Sequence, residues 1–122
     1  MTFCLTTKVI KPEKNAPINQ AVILLHGYGG DGKDISMLTL NWQRFLPNTI
    51  FLCPNGHEKC EINPTGYQWF DLTKDDPEYI LKQSKKAELK LQKFIQEIKE
   101  KNNLKNNQIC LSGFSQGCMM SI

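Results

Sequence analysis

Three short apolar runs, separated by stretches of helical pattern, constrain the fold of this chain more than any other feature. The runs are AVILLH at 21–26, TIFLCP at 49–54 and QICLSG at 108–113. Each has the length of a strand and is apolar enough to be covered on both faces. Strands that alternate with helices through right-handed crossovers form a parallel sheet with helices on both faces. The sequence therefore predicts an α/β fold.

The segments around these runs are assigned by their periodicity. Residues 3–10 alternate weakly and are predicted to form an edge strand, followed by a loop at 11–20. Asp34 is predicted to cap a helix that ends before Pro47, with apolar residues that recur at three- and four-residue spacing: Ile35, Leu38, Trp42 and Phe45. Residues 55–77 are predicted to form a long loop of the kind that is often functional. A second helix is predicted from a face of three- and four-residue spacing: Ile80, Ser84, Ala87, Leu91, Phe94 and Ile98.

Length and charge limit the classes of protein to which the chain can belong. Its 122 residues suit one domain, predicted over 1–122, and its formal charge is +3. Residues 74–105 hold nine lysines and six acidic residues. A solvated helix explains this surplus, so no nucleic-acid partner is predicted. The longest apolar runs fall far short of the roughly 20 residues that span a bilayer, and the start lacks a signal-peptide pattern. A cytoplasmic protein without a membrane span is therefore predicted.

The cysteines do not have the spacing of a metal site. There is no C-x-x-C pair and no histidine at zinc-finger spacing, so neither a metal nor a cofactor is predicted. In a reducing compartment free thiols are expected at all five positions: Cys4, Cys53, Cys60, Cys110 and Cys118. A bond between Cys53 and Cys60 under oxidising conditions is the alternative.

The glycine-rich turn after the first apolar run has two interpretations. Gly27–Gly32 satisfies G-x-G-x-x-G between a strand and a helix, as a dinucleotide-binding turn does. That fingerprint also needs an acidic residue at the end of the next strand, where this chain has Cys53-Pro54-Asn55. Alternatively, His26-Gly27-Tyr28-Gly29 is an H-G-x-G loop that aims a backbone N–H at a developing oxyanion. A nucleotide-binding module stays open as the less favoured hypothesis.

The last apolar run leads directly into a possible nucleophile. Gly113-Phe114-Ser115-Gln116-Gly117 is G-x-S-x-G, the strained strand-to-helix turn that exposes a serine. Gly113 and Gly117 remove side chains that would clash in such a turn. Both this turn and the H-G-x-G loop follow parallel strands, so they are expected at the same edge of the sheet. The two motifs together favour acyl transfer to Ser115.

Four segments carry a resemblance to a known family. In order and approximate spacing, LLHGYGGDGKD, IFLCPNG, QWFDL and GFSQG resemble the phospholipase/carboxylesterase family of α/β-hydrolases, which includes the acyl-protein thioesterases. The resemblance covers residue 20 to the end and corresponds to the N-terminal half of the family fold. It implies that Ser115 is the nucleophile and that the backbone N–H groups of Tyr28 and Gln116 form the oxyanion hole. It also implies that Trp69 lies near the acyl-binding groove, with plain aromatic packing as the alternative.

The chain departs from the family pattern after the serine. Relatives carry the catalytic Asp and then His downstream, whereas only seven residues follow Ser115 here. Of the two histidines, His26 is expected to support the loop structurally; His57 follows a strand at the correct edge but has no support from family order. The expectation is a truncated α/β-hydrolase that ends just after the nucleophile elbow and is nearly inactive alone.

Its substrate class would be small carboxylic esters or acyl thioesters, with a second chain as a possible carrier of the missing Asp and His. The alternatives are an inert remnant and a partner-binding fragment.

Overall fold

The computed structural model describes residues 3–13 and 16–122, and its centre is a four-stranded sheet. The described residues form these strands: β1 (Thr7–Ile10), β2 (Gln20–Leu25), β3 (Thr49–Pro54), β4 (Glu58–Lys59), β5 (Tyr67–Gln68) and β6 (Ile109–Gly113). The order in the large sheet is β1-β3-β2-β6, with β2 parallel to both β3 and β6 and with β1 antiparallel to β3. The predicted α/β fold with a mostly parallel sheet is confirmed. The predicted loop at 11–20 lies partly outside the described residues.

One face of the sheet is covered by the long helix α3 (Pro77–Asn102). Its side chains Ala87, Leu91, Phe94 and Ile98 are buried, as the periodicity predicts, and pack with inward residues of β2 and β3. The helix begins at the Asp76 cap, whose side chain accepts a hydrogen bond from the N–H of Glu78. It ends where Asn103 adopts a left-handed conformation at φ 54°.

The opposite face is covered by a short broken helix, which differs from the prediction. It consists of α1 (Gly32–Ile35), a 3-10 turn (Ser36–Leu38), α2 (Thr39–Trp42) and a second 3-10 turn (Gln43–Phe45). The cap is Asp31, which accepts from the N–H of Asp34 at 2.7 Å, so the expected cap at Asp34 was wrong.

The apolar residues at helical spacing do not form the buried face of this segment. Gly32, Ser36 and Thr39 are buried, whereas Leu38, Trp42 and Phe45 are exposed. The segment lies so close to β3 that a Cβ on Gly32 would be 2.0 Å from the Cys53 carbonyl oxygen. Small residues therefore face the sheet, and the hydroxyls of Ser36 and Thr39 bond back to carbonyls of the preceding turn.

A second, two-stranded sheet and an open edge of the main sheet complete the fold. Within the predicted loop 55–77, β4 and β5 pair as a small antiparallel hairpin. Among the described residues β6 pairs only with β2, so its other edge is open, and its residues are exposed or half-buried. The final helix α4 (Gln116–Ser121) follows β6 directly.

Candidate active site

Ser115 occupies a strained turn between β6 and α4. Its backbone has φ 55° and ψ −116°, a conformation that residues with a side chain adopt only at a cost of about 1–3 kcal/mol. The side chain is exposed. A Cβ on Gly113 would lie 2.3 Å from the backbone of Gly117, and one on Gly117 would lie 2.1 Å from the carbonyl oxygen of Leu25. Both glycines are therefore required sterically, and the turn presents the serine hydroxyl to solvent.

The H-G-x-G loop lies directly beside this serine. A Cβ on Gly27 would be 3.4 Å from the Cβ of Ser115, which is van der Waals contact. The N–H of Phe114 donates to the carbonyl of Leu25 at 3.0 Å, which ties the turn to the end of β2. The structure thus brings together the two motifs that the sequence placed at one edge of the sheet.

Two backbone N–H groups at this junction are available as donors. No hydrogen bond of the described residues uses the N–H of Tyr28 or the N–H of Gln116. Gln116 is the first residue of α4, where the N–H has no acceptor within the helix. Neither N–H is therefore committed to a hydrogen bond among the described residues.

His26 is held as a neutral ring under the loop. It is 2% exposed, and its Nε2 accepts a hydrogen bond from the N–H of Gly56 at 2.8 Å. Since Nε2 is the acceptor, Nδ1 carries the proton and donates to the carbonyl of Gly27 at 2.7 Å. Burial lowers the pKa of the ring, against the raising effect of the Gly27 carbonyl. Both ring nitrogens are occupied, so His26 supports the loop and is not placed to act as a base.

Trp69 is a packing residue in this structure, and its place near the acyl-binding groove stays a prediction. The side chain is fully buried, stacks on the His26 ring with centroids 5.2 Å apart, and donates from Nε1 to the His26 carbonyl at 3.0 Å. Gln116 holds the same segment: its Oε1 accepts from the N–H of Trp69 at 2.8 Å, and its Nε2 donates to the carbonyl of Phe70 at 2.9 Å. Packing, the alternative interpretation, therefore describes Trp69 better.

His57 lines a cavity whose walls include neither Ser115 nor the H-G-x-G loop. That cavity, of about 200 Å³, is also lined by Cys4, Asn55 and Lys90. The Nε2 atom is 3.9 Å from a carboxylate oxygen of Glu58, and Nδ1 has no partner among the described residues. Burial lowers the pKa of His57, and nearby lysines of α3 act in the same direction. None of the contacts of His57 in the described residues involves Ser115.

An apolar cavity beside the oxyanion loop was not predicted. It has a volume of about 360 Å³, and its walls include Gly27, Tyr28, Ile35, Leu38 and Phe114. Ile35 is the last residue of α1 and Leu38 the last residue of the 3-10 turn that follows, and both line this cavity. The sequence feature that could have indicated this cavity is Phe114, the apolar residue before Ser115 in the motif. Phe114 follows β6 directly, where the chain leaves the sheet, and it lines the cavity.

Comparison with known proteins identifies the family. Residues 6–122 match the model of the Phospholipase/Carboxylesterase family. The chain belongs to this family.

The structure is similar to that of esterase PE8, with a TM-score of 0.87 and 34% identity over 96% of this chain and 55% of that chain. It also resembles acyl-protein thioesterase 2 of Zea mays in fold, with a TM-score of 0.52 and 18% identity over 96% of this chain and 49% of that chain. This member of the family therefore spans about half the length of these two proteins.

Several expectations can be compared with this assignment. Family membership disfavours the nucleotide-binding hypothesis, as does α1, which is only four residues long after the glycine turn.

All five cysteines are free thiols, and Cys53 and Cys60 are both buried. Within residues 3–13 and 16–122, no cluster of three or more metal-ligating side chains is found. In the same part of the chain, no helix has the length and hydropathy of a membrane-spanning segment.

A buried acid that the sequence analysis overlooked has a structural role. The Asp71 carboxylate accepts hydrogen bonds from the N–H and hydroxyl of Thr73 and from the hydroxyl of Tyr79, each at 2.8 Å. The bond from the Thr73 backbone is the main cause that lowers the pKa of Asp71. These bonds tie the segment that follows Trp69 and Phe70 to the first turn of α3.

Proposed function

We propose that this chain carries the nucleophile and oxyanion hole of a serine-dependent carboxylic ester hydrolase. The observation that carries the proposal is the exposed Ser115 at positive φ, so near the H-G-x-G loop that a Cβ on Gly27 would lie 3.4 Å from the Ser115 Cβ, together with the unused N–H groups of Tyr28 and Gln116. Preorganised donors of this kind stabilise the negative charge that develops on a carbonyl oxygen during acyl transfer. Family membership and the likeness to esterase PE8 support the same reaction class.

The proposed reaction proceeds through an acyl-enzyme. The Ser115 hydroxyl attacks the carbonyl carbon of an ester or acyl thioester and gives its proton to a base, while the N–H groups of Tyr28 and Gln116 bind the oxyanion. The protonated base then donates to the leaving alcohol or thiol. Water then attacks the carbonyl carbon of the acyl-enzyme and gives its proton to the base. The base returns a proton to the Ser115 oxygen as the carboxylic acid leaves. The cavity bounded by Ile35, Leu38 and Phe114 is the proposed site for the acyl chain.

The base and the acid that orients it are proposed to come from a segment outside this sequence, on the same or a second chain. His26 has both nitrogens occupied, and His57 lies in another cavity. Loss of a catalytic triad member lowers turnover by about 10⁴ to 10⁶. The 122 residues by themselves are therefore proposed to be nearly inactive, either as a remnant or as a fragment that binds its complement.

The open edge of β6 is the proposed docking place for that segment. An apolar cavity of about 440 Å³ lies between α3, β6 and α4, and its walls include Leu91, Ile95, Leu111, Met119 and Met120. A parallel strand added to β6 would continue the sheet, and a helix that follows it would fill this cavity. The half of esterase PE8 that this chain does not match supplies the length for such a unit.

Labelling with a fluorophosphonate probe tests the proposal. We define the completed protein as this chain together with either the natural sequence encoded past codon 122 or the unmatched half of esterase PE8. Ser115 should react in the completed protein and hydrolyse p-nitrophenyl esters there, whereas Ser115→Ala should do neither. Thr7→Val is the control: it removes a hydroxyl on β1, at the opposite edge of the sheet from β6, and should react normally.

The comparison with the chain alone tests the need for a complement. We expect its rate to be lower by a factor of about 10⁴ or more. Equal labelling of the chain alone and the completed protein would contradict the proposed complement. Labelling that persists in Ser115→Ala would contradict the assignment of the nucleophile.

A further inference from the structure

The peptide that bears the Tyr28 N–H is fixed through its own carbonyl. Gly27 and Tyr28 share a planar peptide unit, so the direction of the Gly27 carbonyl sets the opposite direction of the Tyr28 N–H. That carbonyl accepts from the N–H of Gly30 at 3.1 Å and from Nδ1 of His26 at 2.7 Å. The orientation of the donor therefore depends on keeping the turn from Gly27 to Gly30 closed.

Gly29 is the residue on which this turn depends most. Its φ of 83° lies in the left-handed region, which a flexible loop does not keep without restraint. Its N–H donates to the carbonyl of Tyr67 at 2.9 Å, and its own carbonyl accepts from Nδ2 of Asn63 at 2.8 Å. The N–H of Tyr67 in turn donates to the carbonyl of Gly30 at 2.8 Å. The segment from Asn63 to Tyr67 thus holds the oxyanion loop from outside.

The Asn63 side chain is itself set in place by a tight turn. Its backbone carbonyl accepts from the N–H of Gly66 at 2.9 Å, and its Oδ1 accepts from the hydroxyl of Thr65 at 2.9 Å. Gly66 lies against the oxyanion loop: a Cβ there would be 2.0 Å from the Gly29 carbonyl oxygen. With Oδ1 held by Thr65, the amide nitrogen of Asn63 is directed at the Gly29 carbonyl.

From these contacts we propose that Asn63 is a positioning residue for the oxyanion hole. By holding the Gly29 carbonyl it keeps the left-handed turn and so keeps the Tyr28 N–H directed at the acyl oxygen. The inference rests on the proposed function and adds a residue that the sequence pattern does not single out. Asn63 does not contact the reacting atoms; it acts through Gly29 and the neighbouring peptide.

The test compares two variants in the completed protein. Asn63→Ala removes the bond to Gly29 and the bond from Thr65, whereas the control Asn48→Ala removes an amide bond to the Pro17 carbonyl that is also 2.8 Å long and involves no residue of the H-G-x-G loop. We expect kcat of Asn63→Ala for a p-nitrophenyl ester to fall about 10- to 100-fold, since small misplacements of a donor have effects of this size. KM should stay within about two-fold, and Asn48→Ala should match the parent. A purely structural role would instead lower the melting temperature and leave kcat of the folded fraction unchanged.

Asn63→Ser covers the case in which the alanine variant fails to fold. Its hydroxyl keeps a polar group in the turn but is too short to reach the Gly29 carbonyl, and the same loss of kcat is expected. If the parent is active and both Asn63 variants keep kcat within two-fold, the positioning role is overturned and the proposed function stands. If the parent completed protein neither hydrolyses esters nor reacts at Ser115, the proposed function fails and the inference fails with it.

Discussion

Replacement of Gln116 by alanine should destabilise the fold strongly, because its buried amide joins α4 to the segment before α3. The side chain accepts from the N–H of Trp69 at 2.8 Å and donates to the carbonyl of Phe70 at 2.9 Å. Gln116 is 2% exposed. Truncation would leave one backbone donor and one backbone acceptor buried without partners, at about 1–3 kcal/mol each. The expected loss is therefore about 2–6 kcal/mol, a large part of the roughly 5–15 kcal/mol typical of a domain.

Urea unfolding followed by tryptophan fluorescence measures this loss. With a slope of about 1–3 kcal/mol per molar urea, the midpoint should fall by at least about 0.7 M. The matched control is Gln92→Ala on α3, where an exposed amide contacts Glu88 at 3.2 Å. That change should cost less than about 0.5 kcal/mol. If Gln116→Ala shifts the midpoint no more than Gln92→Ala does, the amide does not hold the two segments together as argued.

Three further outcomes are expected. Gly117→Ala should abolish labelling of Ser115 in the completed protein and lower its melting temperature, since the new Cβ would lie 2.1 Å from a carbonyl oxygen; normal labelling would contradict the steric argument. The pKa of His26 is lowered from 6.5 by burial, so its contribution to stability is present above that value and is lost as pH falls through the folded-state pKa. Unfolding midpoints measured from about pH 7.5 to about pH 5 should therefore fall. Because the pKa of His57 is also lowered, the control is His57→Gln, in which the midpoints should still fall. A flat profile in that variant would refute the role of His26. Burial raises the pKa of Cys53 to about 12, so iodoacetamide at pH 8 should modify the exposed Cys110 and Cys118 and spare Cys53 in the native protein, as read by peptide mass spectrometry; equal modification would show that the core opens readily.

The prediction of secondary structure succeeded where a single pattern governs a segment. Each residue of β3 is buried, as the unbroken apolar run TIFLCP predicts. The inward face of α3 was also identified, because its apolar residues recur at helical spacing along a helix of 26 residues. Such patterns indicate which residues are buried, because the hydrophobic effect drives the apolar face of each element out of water.

The prediction failed for α1 and α2 because the pattern there does not record burial. Leu38 and Phe45 repeat at helical spacing but are 49% and 72% exposed. The helix packs its small residues on β3, since close approach at Gly32 leaves no room for larger ones. How near one element lies to another is a property of the whole fold, so helical spacing alone could not assign the buried face.

The sequence by itself determined the three buried strands, the long helix α3, the strained turn at Ser115 and the glycines that permit it. These depend on local sterics and on periodicity, which short stretches of chain contain. Only the tertiary structure decided that the H-G-x-G loop lies beside Ser115, that Trp69 is buried, and that Asn63 holds Gly29 across 34 positions of the chain. These contacts join residues that are distant in sequence, and their geometry is set only when the sheet, the hairpin and the helices pack together.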